Sequence, residues 1–195
     1  MPAVDVPTYC RSHGIAVLEI GPLDSAGAVA AIKALGPDLG IHAGAALLRR
    51  PLIDAFRLGV LNAHMGLLPA YRGMNVAEWA ALEGAPVGCT VHLIDSGIDT
   101  GPVLAVQKVH IEGCGSITAL RDAVDRAQLA LLGDIVEAIV GGRMPEPLAA
   151  AEPPGPQYFH MHQDLVAILE ARLLGARASH LEDGEDSERP RILAD

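Results

Sequence analysis

Five short apolar runs set the limits on what this chain can fold into. They cover residues 15–20, 39–43, 59–64, 87–94 and 103–109, and Gly, Pro or a polar turn follows each within a few positions. Runs of that length suit buried strands. The stretches around them carry helical patterns. Residues 25–35 are Ala-rich with apolar spacing near 3.6, capped by Asp24 or Ser25 and stopped by Gly36-Pro37. Residues 51–57 predict a short helix with Pro51 in its first turn. Residues 75–82 predict another, ended by Gly84, and residues 116–140 the longest, bounded by Gly141-Gly142. One or two turns are expected at 7–13 and an amphipathic helix at 163–174. Strands alternating with helices predict an α/β protein on an open, mostly parallel sheet. In such a sheet, ligands sit outside the carboxyl ends of the strands, near a topological switch point.

Composition narrows the reading. The 195 residues suffice for one domain with a real core. Half are hydrophobic but only 3% are aromatic, so Ala, Val, Leu and Ile must build that core. A formal net charge of -10 argues against broad electrostatic contact with nucleic acid or an anionic membrane. Cys10, Cys89 and Cys114 are odd in number and lack metal-type spacing, which points to reduced thiols and a cytoplasmic setting. No secretory leader is visible at Met1-Pro2-Ala3-Val4-Asp5, and no apolar run reaches the length of a membrane span.

The chemistry-bearing residues cluster after the third run. Asn62 and His64 stand two apart on a predicted strand, so their side chains share one face at its carboxyl end. A loop follows, Leu67-Leu68-Pro69-Ala70-Tyr71-Arg72-Gly73, and Asp99 lies in a later turn. An amide donor, an imidazole and a carboxylate are what acyl transfer to an amine requires: one polarises a carbonyl, and the others orient and move a proton. Taken singly, an Asn or His in a loop is usually a turn or surface residue.

Three separated motifs carry a resemblance. Asn62-Ala63-His64-Met65-Gly66-Leu67-Leu68-Pro69-Ala70-Tyr71-Arg72-Gly73-Met74-Asn75, then Gly88-Cys89-Thr90-Val91-His92, then Asp95-Ser96-Gly97-Ile98-Asp99-Thr100-Gly101-Pro102 resemble the folate-dependent formyltransferases. That family acts on glycinamide ribonucleotide, methionyl-tRNA, amino sugars or, as a hydrolase, formyltetrahydrofolate itself. The likeness covers roughly residues 37 to 110, in the family's order, with His92 and Asp99 seven residues apart. It implies a Rossmann-like sheet, 10-formyltetrahydrofolate as formyl donor and no metal. It further implies that Asn62 binds the formyl oxygen, that His64 stabilises its charge or acts as general acid, and that Asp99 holds His64 and helps move the amine proton. His92, Arg72, Gly73 and Asn75 become supporting or substrate-side residues. Ala43, Gly44, Leu47, Leu48, Ile94, Asp95 and Gly97 become walls of a pterin pocket, gripped through backbone groups. For 43–48, a plain strand-to-helix turn is the competing reading.

The chain also departs from the family. Residues 7–20 resemble the family's second helix and third strand, so the first two strands and a glycine-rich loop between them are missing from this amino-terminally shortened domain. Three explanations stand open: a natural short form in which 15–20 pairs with 39–43, completion by a second copy or a partner chain, or a misplaced start. Residues 1–144 would be the catalytic domain, 145–178 a Pro-rich linker and packing helix, and 179–195 a disordered acidic tail. A small amine acceptor, of amino sugar or amino acid type, fits better than tRNA. A hydrolase or a non-catalytic subunit is the alternative. In Tyr158-Phe159-His160-Met161-His162, two histidines without a third ligand argue for packing over metal binding.

Overall fold

The computed structural model describes residues 5–44, 46–149 and 153–183. A four-stranded open sheet is built from β1 (Gly40–His42), β2 (Val60–His64), β4 (Gly88–Leu93) and β5 (Val103–Lys108), in that spatial order. β1 and β2 run parallel, whereas the β2–β4 and β4–β5 pairs are antiparallel. The open α/β sheet is thus present, but its described strands are mixed in direction, with one parallel pairing of three. A second, two-stranded sheet pairs β3 (Arg72–Gly73) with β6 (Gln157–Tyr158). Neither short strand is visible as a pattern in the sequence.

One helix dominates the packing. α5 (Ile117–Val140) begins at Ser116, whose side chain accepts from the Ala119 N–H and so satisfies one orphan donor of the first turn. Leu120, Val124, Leu131 and Ile135 recur on one face and are buried. They join Leu61, Cys89 and Val91 of the sheet in a core of aliphatic side chains. α4 (Val76–Glu83) and α6 (Gln163–Asp183) pack beside α5, burying Ala77, Ala80, Leu169 and Leu173. α2 (Ala26–Leu35) is capped by the Ser25 side chain and ends at Gly36 in the left-handed conformation. α3 (Arg50–Ile53) is shorter than the 51–57 expected, and α1 (Val6–Ser12) lies near its predicted place.

Two expectations fail. Residues 15–20 form no strand, and Ile15, Val17 and Leu18 remain 41–52% exposed. β-branched composition favours a strand only where a neighbour supplies the ladder, and β1 pairs with β2 alone among the described strands. The pairing of 15–20 with 39–43 is therefore not made. The segment expected to be a free tail is helical at its start, since α6 runs to Asp183; the rest of that stretch lies outside the described residues. The Pro-rich segment is docked at both ends: the Leu148 N–H donates to Val103 O, and the Gly155 N–H to Pro69 O. No helix is long and apolar enough to cross a membrane among the described residues.

Candidate functional site

Strand register assembles the site. His42 pairs with Asn62 across β1–β2, and Asn62 with His92 across β2–β4. Residues directly opposite in adjacent strands project to the same side of the sheet, so these three side chains form a row. Two residues on, His64 shares the face. The other face, with Leu61 and Val91, belongs to the core. Thr90, opposite His64, anchors the loop above: its hydroxyl donates to Gly66 O at 2.7 Å and accepts the Leu68 N–H at 3.1 Å.

The hydrogen bonds fix the tautomers. His92 Nδ1 faces Leu93 O at 3.0 Å, and a carbonyl can only accept, so Nδ1 carries the hydrogen. His92 Nε2 is then an acceptor in the neutral ring, and Asn62 Nδ2 donates to it at 3.1 Å. This orients the Asn62 amide. Its oxygen lies 3.2 Å from His42 Nδ1, and Nδ2 keeps a second hydrogen for a ligand. His64 Nε2 donates to Tyr71 O at 2.8 Å, so neutral His64 presents a free base at Nδ1. Gly66 is needed for that contact: a Cβ there would sit 2.7 Å from Tyr71 O and 3.0 Å from His64 Nε2.

Asp99 arrives from the loop between β4 and β5. Asp95 shapes this loop, accepting from the Gly97 N–H at 2.9 Å and the Thr100 hydroxyl at 2.7 Å. Asp99 itself has φ of 51°, in the left-handed region that Asp tolerates better than most residues. Its Oδ2 accepts the Gly73 N–H at 2.8 Å and stands 3.7 Å from His64 Nδ1; its Oδ1 stands 3.6 Å from His92 Nε2. The expected grip of Asp99 on His64 is therefore an ion-pair distance, while its direct hydrogen bond goes to Gly73. Burial pushes the His64 pKa below its ordinary value, against the pull of Asp99 in the other direction. Burial pushes Asp99 up, but His92 and His64 in their protonated forms, with the Gly73 N–H, outweigh it and hold the carboxyl below the usual range. The pair at neutral pH is thus neutral imidazole beside carboxylate.

Two cavities meet here. A narrow one of about 100 Å³ is lined by Leu47, Leu48, Ile94, Asp95, Gly97 and His92, which include five of the seven residues expected in a pterin pocket. A wider cleft of about 790 Å³ is lined by His64, Gly73, Asn75, Glu78, Arg121 and His160, among others. His42, Asn62 and Asp99 line both. Gly44 lines the wide cleft, and Ala43 lines neither cavity. Arg72 also lines neither: its guanidinium donates to Gly155 O at 2.8 and 3.0 Å and to Ile98 O at 3.1 Å, tying the Asp99 loop to the Pro-rich segment. Asn75 Oδ1 accepts the Met161 N–H at 3.1 Å and lies 3.2 Å from His160 Nδ1, which brings the predicted histidine-rich segment to the cleft. His162 pairs instead with Asp164 at 3.3 Å. No cluster of three metal-ligating side chains occurs among the described residues.

Sequence reasoning missed His42 and the Glu78–Arg121 pair. The single-residue spacing from Gly40 to His42 resembles that of Asn62 to His64, a signal that only the register makes meaningful.

The fold is an open α/β sheet with a polar site at the carboxyl end of β2, and comparison with known proteins narrows the class. The formyl transferase family model matches residues 23–136, and the chain belongs to that family. It is 34% identical over 141 residues to the methionyl-tRNA formyltransferase of Chloroflexus aggregans, covering 71% of this chain and 46% of that protein. The chain thus spans about half the length of the curated relatives it matches. Among solved structures, it superposes on a sugar N-formyltransferase from Shewanella sp. with a TM-score of 0.64 at 23% identity, over 86% of this chain and 71% of that one. It superposes on the formyltransferase PseJ from Anoxybacillus kamchatkensis, solved with a UDP-linked formamido sugar and tetrahydrofolate, with a TM-score of 0.61 at 19% identity, over 89% and 93%. At those identities the two structures speak for the fold.

Proposed function

We propose that this chain transfers a formyl group from 10-formyltetrahydrofolate to the primary amine of a small metabolite. The observation that carries the reading is the meeting of a narrow apolar slot and a wide cleft of mixed polar and apolar lining at Asn62 and Asp99, with His64 beside them. The slot suits a flat heterocycle: Leu47, Leu48, Ile94 and Ile98 supply apolar walls. The bound folate supplies the formyl carbon. The wide cleft suits the amine. The net charge of -10 favours a small acceptor over a nucleic acid.

The residues divide the work by what their atoms can do. The second Asn62 Nδ2 hydrogen donates to the formyl oxygen as negative charge develops there; His92 and His42 hold the amide in that orientation. As the amine nitrogen bonds to the formyl carbon, it gives a proton to His64 Nδ1. Asp99 Oδ2 stabilises the resulting imidazolium, and Tyr71 O accepts the hydrogen bond from its Nε2–H. When the bond from the formyl carbon to the folate nitrogen breaks, that proton passes to the leaving nitrogen. Atoms and charge balance without an outside oxidant or metal.

The test has two parts. A tetrahydrofolate analogue at saturation raises the melting temperature if the slot binds folate. Release of tetrahydrofolate from the 10-formyl donor then depends on added amine. Release without amine makes the chain a hydrolase, and no melting shift removes the folate reading.

A further inference from the structure

A primary amine enters neutral water as its ammonium ion, so formylation strips two protons from one nitrogen. His64 Nδ1 takes the second, as the nitrogen bonds to the formyl carbon, and returns it to the folate nitrogen. The first must leave before attack, because an ammonium ion has no lone pair, and it leaves the site altogether. Whatever takes it needs an acceptor atom on the wide cleft and a way out to water.

Among the described residues, six titratable side chains line that cleft: His42, His64, Glu78, Asp99, Arg121 and His160. Five are committed elsewhere. His64 is buried and reserved for the other proton. Asp99 accepts from the Gly73 N–H and faces His64 and His92. Glu78 is 3% exposed and accepts from Arg121 Nε at 2.6 Å and from Asn75 Nδ2 at 3.2 Å. Arg121 is a permanent cation. His42 Nδ1 faces Asn62 Oδ1 at 3.2 Å.

His160 differs from all of these. A carboxylate can only accept, so Asn75 turns Nδ2 toward Glu78 and Oδ1 away from it. That oxygen accepts the Met161 N–H at 3.1 Å, which fixes the amide a second time. His160 Nδ1 lies 3.2 Å from the same oxygen and so carries the hydrogen. Nε2 is then the acceptor atom of the neutral ring, and it has no protein partner among the described residues. The segment that carries His160 is held by two further bonds, Trp79 Nε1–H to Phe159 O at 2.8 Å and the Met74 N–H to Tyr158 O at 3.1 Å. The relay from Arg121 through Glu78 and Asn75 thus orients a base through a third group. The ring is exposed, so a proton taken there passes on to water.

We propose that His160 Nε2 takes the first proton from the acceptor's ammonium group and passes it to solvent, freeing the nitrogen lone pair to attack the formyl carbon. This rests on the amine-acceptor reading above and adds a second base to it. One N–H bond of the ammonium breaks, one Nε2–H bond forms, and the imidazolium gives the same proton to water.

The test uses the full chain, 10-formyltetrahydrofolate and two amines of one shape, ethylamine and methoxyamine. At neutral pH the first is an ammonium ion and the second an uncharged amine. His160→Gln keeps polar atoms near the Nε2 position but cannot carry a proton. It lowers kcat for ethylamine by about 10²-fold more than for methoxyamine, with KM held. In His160→Ala, added imidazole restores ethylamine transfer in proportion to its concentration. Melting curves check that both variants fold. A purely structural role lowers both amines alike and does not respond to imidazole. Equal losses on the two amines, undiminished ethylamine transfer in His160→Gln, or no rescue by imidazole overturns the inference and leaves formyl transfer standing. Transfer to neither amine by the wild type overturns the amine reading and this inference with it.

Discussion

At the scale of single residues, each polar group of the site has its direction fixed by a neighbour that can play one role. The Leu93 carbonyl sets the His92 tautomer, His92 sets the Asn62 amide, and the Tyr71 carbonyl sets His64. A prediction follows for His64 and Asp99. Burial lowers the His64 pKa and Asp99 partly restores it, so Asp99→Asn lowers it further. The His64 imidazole resonances should titrate at lower pH in Asp99→Asn than in the wild type; an upward shift contradicts the assignment. Sequence spacing was enough to bring Asn62 and His64 to one face, because period two on a strand is a local rule. His42 could not be found that way, since its place beside Asn62 depends on which residues of two strands pair. Arg72 looked like a ligand residue in the motif, yet its donors serve Gly155 and Ile98, a partnership 83 and 26 residues distant.

At the scale of elements, two connections hold the site: the 66–73 loop with β3, and the Asp99 turn. Gly73 has φ of 103°, and a Cβ there would run into the Tyr158 carbonyl. Gly73→Ala should cost at least about 1–3 kcal/mol in stability. It should also lower formyl transfer, because the Gly73 N–H that holds Asp99 sits in the same β3–β6 pairing. Equilibrium denaturation and activity together check this, and normal stability with normal activity contradicts it. α6 docks through Leu169, 1% exposed, and Leu173. Leu169→Ala should cost about 2–5 kcal/mol, the usual range for a buried leucine truncation. Helices α2, α4 and α5 were legible from caps, glycine stops and apolar spacing. β3 and β6 were not, since a two-residue strand carries no period. Residues 15–20 misled for the opposite reason: strand composition is strong there, and the neighbour that would pair with it is absent among the described strands.

At the scale of the whole molecule, acid should destabilise the fold in two windows. His64 has a lowered pKa when folded, so its contribution is full above about 6.5, its ordinary value, and is lost as pH falls below that. Asp99 is also lowered, so its contribution is full above about 3.9 and is lost as pH falls further. The melting temperature should fall on acidification below about pH 6.5, and His64→Gln should flatten the upper part of that fall. A wild-type melting temperature that is constant or rising there contradicts the burial argument. Ile15, Val17 and Leu18 are exposed, and β1 pairs with β2 alone among the described strands, so each leaves a surface prone to association. Light scattering should show association growing with protein concentration, reduced by Val17→Lys with Leu18→Lys.

We propose that Asn62, His64 and Asp99 carry formyl transfer at the junction of the two cavities. It is tested most directly by kcat/KM for tetrahydrofolate release in the presence of amine, wild type against Asn62→Ala. With the fold intact by melting curve, loss of the oxyanion donor should lower it about 10²- to 10³-fold. Wild-type turnover in Asn62→Ala would contradict the account.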